Sequence, residues 1–255
     1  MTPYYEDDAV TIYHGEACDV LRSLPSECVD AVLVDPPYSS GGMFRSDRQI
    51  DPANKYRGWS QNADGSSRTP TAEYGSFGGD SRDQRAFLSW VGAWQFQAMR
   101  CTVPGGSCFM FTDWRQLPVS TDAVQLGGWT WRGVLVWDKG VGRPVKGRFR
   151  NHIEFVVWAT NGAPNGGDVY PSALIQVPTV SSSERQHVTQ KPVELLTHIL
   201  AVVNGDQLTV LDPFMGSGST LVAAKYAGHK AIGIEVDERY CEIAARRMAQ
   251  EVLPL

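Results

Sequence analysis

Apolar positions along the chain follow two spacings that alternate with each other. Short, mostly apolar runs predict strands at Val10–Tyr13, Asp30–Val34, Cys108–Thr112, Trp131–Trp137, Ile153–Ala159, Leu208–Leu211 and Lys230–Ile234. Apolar residues three and four positions apart predict helices at Asp19–Leu24, Gln84–Cys101, Ser120–Leu126, Pro192–Val203, Ser219–Ala227 and Glu238–Glu251. Because strands and helices alternate, the pattern predicts an α/β fold with a mostly parallel sheet covered on both faces.

Two long polar stretches interrupt this pattern. Residues 39–82 are rich in Gly, Ser, Asp, Asn and Arg, and residues 162–189 are rich in Gly, Pro and polar side chains. Connections of this length are usually functional or disordered. We therefore expect residues 1–255 to form one domain in which 39–82 and 162–189 are insertions. A shorter break at Pro104-Gly105-Gly106 predicts a turn.

Composition narrows the class of protein. With 42% hydrophobic and 20% charged residues, the chain is typical of soluble globular proteins. No apolar run approaches the ~20 residues of a membrane span, and the acidic start MTPYYEDDAV lacks the layout of a signal peptide. The five cysteines form no CxxC pair, so we expect free thiols in a reducing cytoplasm, and no metal-ligand spacing appears. A net charge of -5 does not decide whether nucleic acid is a partner.

A glycine-rich turn near the C-terminal end lies between a predicted strand and a predicted helix. The strand leads into Asp212-Pro213-Phe214-Met215-Gly216-Ser217-Gly218, and the next strand is followed by Glu235. In mononucleotide-binding sheets such glycines let the backbone approach the ligand, and such an acid accepts hydrogen bonds from ribose hydroxyls. Asp212 disfavours a pyrophosphate, so the turn suits a cationic ligand with a ribose, such as S-adenosylmethionine. The alternative is a tight turn whose glycines serve only backbone geometry.

Asp35-Pro36-Pro37-Tyr38 follows a predicted buried strand, at the end where open α/β sheets place their sites. An exocyclic amine on a nucleobase is a poor nucleophile because its lone pair is delocalised into the ring. The Asp35 carboxylate and the Pro36 carbonyl, in a backbone stiffened by Pro37, can accept its two N–H groups and free that lone pair. Tyr38 offers a face on which an extruded base can stack. The alternative is a Pro-Pro turn with a partly buried tyrosine.

Together, DPPY at 35–38, LDPFMGSGST at 211–220 and AIGIEVDERY at 231–240 resemble the amino-DNA methyltransferases. This family uses S-adenosylmethionine to methylate adenine N6 or cytosine N4. DPPY precedes the cofactor glycines, which is the permuted order of the family's β class and counts against protein-glutamine and RNA methyltransferases. Weaker segments that fit the same pattern are His14–Ala17, Pro104–Asp113, Trp131–Lys139, Asn151–Asn161 and Gln190–Pro192.

The resemblance implies a Rossmann-like S-adenosylmethionine-dependent methyltransferase fold, with a mostly parallel seven-stranded sheet that has one antiparallel strand. It implies that Asp35, Pro36, Pro37 and Tyr38 are the catalytic residues. It also implies DNA as the substrate, a homodimer, and S-adenosylhomocysteine as the cofactor product. The residues implied to contact the cofactor are Glu16, Ala17, Asp35, Lys191, Asp212, Pro213, Phe214, Gly216, Ser217, Gly218, Glu235 and Val236. Glu16 stands where the family usually has Asp.

Basic residues gather in the loop Lys139–Arg150 and in the insertion 39–82, where Tyr56 and Trp59 accompany them. Cations interleaved with aromatic rings suit phosphate neutralisation and base stacking. The residues expected to contact DNA are Arg45, Arg48, Lys139, Arg143, Lys146, Arg148 and Arg150. A loop of solvated charge is the alternative. We expect 39–82 to be mobile without DNA, and 162–189 to act as a short target-recognition segment.

The sequence therefore predicts a site-specific adenine-N6 DNA methyltransferase, because DPPY is the usual spelling in adenine enzymes and SPPY is commoner in cytosine-N4 enzymes. Cytosine-N4 methylation is one alternative, and a catalytically silent nucleic-acid-binding regulator is an alternative of another class. The intact residues Asp35, Tyr38 and Glu235 count against the silent regulator. We expect a cytoplasmic enzyme of a prokaryotic or phage-infected cell, either solitary or the modification half of a restriction–modification pair.

Overall fold

The computed structural model describes residues 1–37, 84–142, 144, 146–147, 149–180 and 191–250. The strands in these ranges are β1 Tyr5–Glu6, β2 Val10–His14, β3 Val29–Val34, β4 Thr102–Thr112, β5 Thr130–Asp138, β6 Ile153–Thr160, β7 Leu174–Gln176, β8 Thr209–Asp212 and β9 Lys230–Glu235. The helices in the same ranges are α1 Ala17–Ser23, α2 Gln84–Cys101, α3 Leu117–Leu126, α4 Val193–Leu200, α5 Ser219–Tyr226 and α6 Glu238–Ala249. None of these helices combines the length and the apolar character that a membrane span requires.

The strands form one sheet in the order β1-β2-β9-β8-β3-β4-β6-β5-β7. From β2 to β5 the sheet is parallel except for β6, which runs antiparallel to both of its neighbours. The expected α/β sheet with one reversed strand is therefore confirmed for this body of seven strands. In the described residues the sheet has nine strands and not seven, because β1 and β7 extend its edges, β1 antiparallel and β7 parallel to its neighbour. These strands have two and three residues, which is too short to carry a hydrophobic period.

The turn predicted at Pro104-Gly105-Gly106 is wrong, because these residues lie inside β4. The pairing of β3 with β4 is irregular here, because β4 advances from Thr102 to Ser107 while β3 advances only from Val29 to Ala31. Gly105 has a φ of +83°, and a Cβ on Gly106 would lie 2.7 Å from a carbonyl oxygen of β3. The glycines therefore serve a local irregularity within the strand and a close strand approach.

Both faces of the sheet are covered by helices. In β3, Ala31 and Leu33 pack on one face with α4, α5 and α6. Val32 and Val34 pack on the other face with α1, α2 and α3. Alternation of side chains along a strand accounts for this division, and burial on both faces accounts for the nearly continuous apolar run of β3. Ligands of such a sheet bind at the carboxyl ends of its strands, beyond the covered faces.

Candidate active site

Three carboxylates lie at the carboxyl ends of three adjacent parallel strands. Glu235 is the last residue of β9, Asp212 is the last residue of β8, and Asp35 directly follows β3. The strands pair in the order β9-β8-β3, so these strand ends meet at one edge of the sheet. The charges of Asp35 and Glu235 both act on Asp212, which places the three acids in one site.

Asp212 is nearly completely buried, with 3% of its surface exposed. Its Oδ1 accepts a hydrogen bond from the backbone N–H of Phe214 at 3.0 Å, and Thr220 donates a side-chain hydrogen bond to it. Burial is the largest cause that raises the pKa of Asp212 to about 7, and the charges of Asp35 and Glu235 act in the same direction. A buried carboxylate with this pKa is stabilised in its charged form by a cation bound beside it.

Glu235 is oriented by backbone donors on both of its oxygens. Oε2 accepts from the Gly216 N–H at 3.0 Å, and Oε1 accepts from the Asp237 N–H at 2.9 Å. Burial raises the pKa of Glu235, although these hydrogen bonds act against the shift. The Val236 N–H also donates to this carboxylate, and since a carboxylate has about four acceptor positions, capacity remains for a ligand hydroxyl.

The turn between β8 and α5 brings bare backbone to this edge of the sheet. Gly216 and Gly218 have φ values of +52° and +82°, which L side chains rarely adopt. Among the described residues, no atom lies within 4 Å of a Cβ built on Gly216, so the space beside it is open. The neighbouring Pro213 and Ser217 are buried, and the guanidinium of Arg247 donates to the Ser217 carbonyl oxygen.

Phe214 closes the apolar side of the turn. Its ring packs against Trp90 and Trp94 of α2, with centroid distances of 5.3 and 5.2 Å. Phe214 itself is only partly buried, so part of its surface is available to a ligand. Helix α2 therefore supports the turn, although 120 positions separate Phe214 from Trp94 in the sequence.

The segment after β2 lies beside the end of β9. The Gly15 N–H donates to the Glu235 carbonyl oxygen at 2.9 Å, and His14 Nε2 lies 3.1 Å from the Val236 carbonyl oxygen. Glu16 is the N-cap of α1, where its side chain accepts from the Asp19 N–H at 3.2 Å. Ala17 is buried and Val236 is 67% exposed. The structure thus brings the predicted cofactor residues Glu16, Ala17 and Val236 close to Glu235. It also gives Glu16 a helix-capping role that the sequence did not predict.

Asp35 pairs with a lysine that is far away in the sequence. Lys191 Nζ donates to Asp35 Oδ2 at 2.6 Å, and the lysine side chain is only 8% exposed. Pro36 is buried and Pro37 is partly buried, whereas Tyr38 lies outside the described residues. The first three residues of the DPPY segment and the lysine of the QKP segment are therefore parts of one site.

Glu154 extends this ion pair into a row of four alternating charges. Its Oε2 lies 3.3 Å from Lys191 Nζ, and its Oε1 accepts from Lys139 Nζ at 3.1 Å. Burial raises the pKa of Glu154, but the two lysines outweigh burial and the pKa is lowered. Glu154 is not among the site residues that the sequence predicts. The available signal was that Glu154 is the one charged residue in the otherwise apolar or neutral run of β6.

The residues expected to contact DNA lie in different surroundings. Lys139 belongs to the charge row and its side chain is 18% exposed, whereas Lys146 and Arg150 are exposed in the loop between β5 and β6. Arg45, Arg48, Arg143 and Arg148 lie outside the described residues, as do the insertion 39–82 with its expected mobility and residues 181–189 of the second insertion. The described part of that insertion contains β7, which pairs with β5.

The sequence profile of the DNA methylase family matches residues 29–179 and 164–246. These segments include β3 with Asp35, the charge row, and the β8–α5 turn with Glu235. The chain therefore belongs to the amino-DNA methyltransferase family, whose members act on adenine N6 or cytosine N4. It is an S-adenosylmethionine-dependent DNA methyltransferase.

Curated relatives and solved structures agree with this assignment. The chain is 22% identical to the type II methyltransferase M.ScaI of Streptomyces caespitosus, over 99% of this chain and 86% of that protein. It is 26% identical to the type II methyltransferase M2.LlaDCHI of Lactococcus lactis subsp. cremoris, over 96% of this chain and 91% of that protein.

Two similar solved structures show the same fold. The cytosine-N4-specific PvuII DNA methyltransferase has a TM-score of 0.73 at 17% identity, over 99% of this chain and 90% of that chain. The complex of M1.HpyAVI with S-adenosylmethionine has a TM-score of 0.66 at 21% identity, over 94% of this chain and 100% of that chain. At these identities the likeness confirms the expected methyltransferase fold and does not choose the target base.

Proposed function

We propose that this chain methylates N6 of adenine at a defined site in DNA. The observation that carries the proposal is the position of Asp35 and Pro36 directly after β3, at the edge of the sheet where Asp212 and Glu235 also lie. An acid followed by two prolines supplies two acceptors of fixed geometry for the two N–H groups of an exocyclic amine. The carboxylate in the first position of DPPY favours adenine over cytosine.

The site residues fit S-adenosylmethionine. Glu235 keeps acceptor capacity for a ribose hydroxyl, and Asp212 suits a cationic group because burial and the neighbouring acids Asp35 and Glu235 penalise its charge. The open backbone at Gly216 permits close approach, and the exposed part of Phe214 offers an apolar contact. When bound, S-adenosylmethionine supplies an electrophilic methyl group. The remaining cofactor contacts that we propose are Glu16, Ala17, Lys191, Pro213, Ser217, Gly218 and Val236.

The chain's own residues position the target amine. The Asp35 carboxylate and the Pro36 carbonyl accept its N–H groups, which favours a pyramidal nitrogen with an accessible lone pair. Lys191 holds Oδ2 of Asp35, and the buried Pro36 with Pro37 restricts the backbone. Tyr38 is proposed to stack on the extruded base. Catalysis by such a site consists mainly of positioning and hydrogen bonding.

Lys146 and Arg150, which are exposed in the loop between β5 and β6, are proposed to bind DNA. The same role is proposed for Arg143 and Arg148 of the same sequence segment and for Arg45 and Arg48 of the insertion 39–82. These cations would neutralise phosphates and make binding dependent on salt. Lys139 is proposed to act near the site and not on the DNA backbone, because its ammonium pairs with Glu154. We further propose a homodimer, and a bacterial or phage-infected cytoplasm as the location.

Cytosine N4 is the second candidate target, because the PvuII enzyme that shares the fold is cytosine-N4-specific. The deciding experiment is methyl transfer from labelled S-adenosylmethionine to unmethylated DNA, followed by nucleoside analysis. We expect N6-methyladenine. N4-methylcytosine would retain the site and overturn the choice of base, and no DNA product from a folded, cofactor-binding protein would contradict the proposal.

A further inference from the structure

The Lys191 ammonium lies in surroundings that contain two carboxylates and two aromatic rings. Asp35 Oδ2 is at 2.6 Å and Glu154 Oε2 is at 3.3 Å. The ring centroids of Phe111 and Trp137 are 4.9 and 5.9 Å from Nζ. A buried ammonium is costly without compensation, and here compensation comes from both carboxylates and from the negative faces of the rings.

The second carboxylate changes how the lysine acts on Asp35. The ammonium donates a close hydrogen bond to Asp35 Oδ2 at 2.6 Å, and Glu154 Oε2 lies farther from it at 3.3 Å. Glu154 on β6 attracts the same ammonium from another strand, so the lysine charge is shared between two acids. The lysine is thereby held at a defined point beside Asp35.

Glu154 is itself fixed from its other side. Its second oxygen accepts from Lys139 at the end of β5, and the side chains of Glu154 and Lys139 are 19% and 18% exposed. Among the described residues, the charged groups around the lysine are Asp35 and Glu154, with Lys139 beyond Glu154 and Asp212 interacting with Asp35 from β8. Each carboxylate in this row touches an ammonium and each ammonium touches a carboxylate.

We propose that Glu154 is a positioning residue of the methyl-transfer reaction, which acts by holding Lys191 between two carboxylates and so orients Asp35 toward the target amine. This inference rests on the proposed function of Asp35. Glu154 touches neither the base nor the cofactor in this role, and its effect reaches the reaction only through Lys191.

The test is the substitution Glu154→Gln in the full-length protein, compared with the wild type by total methyl transfer to unmethylated DNA. The amide keeps the size and removes the charge, and we expect kcat to fall about tenfold to a hundredfold, as for a misplaced catalytic group. Glu154→Asp restores the charge with a shorter reach and should recover part of kcat. Glu242→Gln is the matched control, because it breaks an exposed ion pair with Arg246 on α6 and should leave kcat unchanged.

The pH profile separates positioning from simple stability. Burial lowers the pKa of Lys191, but Asp35 and Glu154 raise it more, so the ammonium persists to high pH. Without the Glu154 charge the ammonium loses its proton at lower pH, and the alkaline limb of kcat should move to lower pH in Glu154→Gln but stay in place in Glu154→Asp and Glu242→Gln.

Two results would overturn the proposal. One is a kcat of Glu154→Gln within twofold of the wild type, and the other is a loss of kcat with no movement of the alkaline limb. If circular dichroism shows that Glu154→Gln does not fold, the decision passes to Glu154→Asp, where a wild-type kcat would overturn the proposal and a reduced one would support it. Because total methyl transfer is measured relative to the wild type, a wild type that is inactive on DNA would contradict the proposed function and not this inference.

Discussion

The two sides of the candidate active site, at the carboxyl ends of the strands, are assembled in different ways. On the β9–β8 side, Glu235, Asp212 and the turn Gly216–Gly218 come from one strand–helix–strand unit that is contiguous in the chain. On the β4–β6–β5 side, Asp35, Lys191, Glu154 and Lys139 come from four separate segments that ion pairs join. The first side is a local motif, whereas the second exists only in the folded sheet.

This difference has a functional consequence. The β9–β8 side has hydrogen-bond acceptors, a buried acid with a pKa of about 7, and open backbone at Gly216. These features suit the binding of a ligand. The β4–β6–β5 side has charges that hold one another in place, which suits the orientation of a reacting group. We therefore expect substitutions on the first side to change cofactor affinity, and substitutions of Asp35 and Glu154 on the second side to change the rate of methyl transfer.

The largest effect is expected at Asp35, where the two sides meet. Asp35→Ala removes an acceptor for the target amine and should lower kcat by about 10²- to 10⁴-fold, the contribution typical of one positioned proton-accepting side chain. Lys191 keeps Glu154 as a partner, so the fold should survive. Equilibrium dialysis with labelled S-adenosylmethionine should show binding within a few-fold of the wild type. Normal methylation by this variant would contradict the assignment of Asp35 as a catalytic residue.

Glu235→Gln tests the cofactor side. The variant loses a charged acceptor, which costs about 1.5–3 kcal/mol, so the Kd for S-adenosylmethionine should rise roughly tenfold to a hundredfold. With saturating cofactor, kcat should change little. Glu242→Gln serves as the control for a lost carboxylate charge. A lowered kcat with an unchanged Kd would show that the two sides are not separable in this way.

Because Asp212 is a buried acid with a raised pKa, the stability of the protein and its affinity for the cofactor should depend on pH. Its pKa is about 7 in the folded protein and 3.8 ordinarily, so between these values the folded state binds more protons than the unfolded state. The stability of the free protein should therefore fall as pH rises from about 4 to 7, by no more than about 4 kcal/mol in total. The affinity for the cationic cofactor should rise over the same window, because the charged carboxylate binds it.

Asp212→Asn should flatten both pH dependences and weaken cofactor binding. Thermal unfolding and titration of cofactor binding between pH 5 and 8 provide the measurements. If stability and cofactor affinity still vary with pH in Asp212→Asn, another titrating group is responsible. Glu235 is the first residue to examine, because its pKa is also raised by burial.

The smallest effect on rate is expected from the second insertion. Exchange of residues 162–185 for the corresponding segment of a relative should leave kcat nearly unchanged and alter the methylated sequence. The donor segment must supply a strand equivalent to β7, because β7 pairs with β5 and the Trp137 indole donates to the Val177 carbonyl oxygen at 2.7 Å. Mapping of the methylated sites provides the test, and unchanged specificity would defeat the assignment of this segment to target recognition.

Hydrophobic periodicity predicts most of the fold. The predicted helix Gln84–Cys101 coincides with α2, and the predicted strand Ile153–Ala159 differs from β6 by one residue. The failures have physical causes. β1 and β7 are too short for a period, and Pro104–Gly106 has turn chemistry that an irregular strand pairing also uses.

The sequence by itself determined the class of sheet, the glycine-rich turn with its acids, and the DPPY segment, because each of these depends on neighbours in the chain and on a repeating pattern. Only the tertiary structure decided that Lys191 reaches Asp35, that Glu154 reaches Lys191, and that Lys139 belongs to the same row. Contacts of this kind join residues separated by up to 156 positions, and their partners are chosen by strand order and burial. No local pattern encodes that choice, because a lone charge in an apolar strand shows that a partner is required but not which residue provides it.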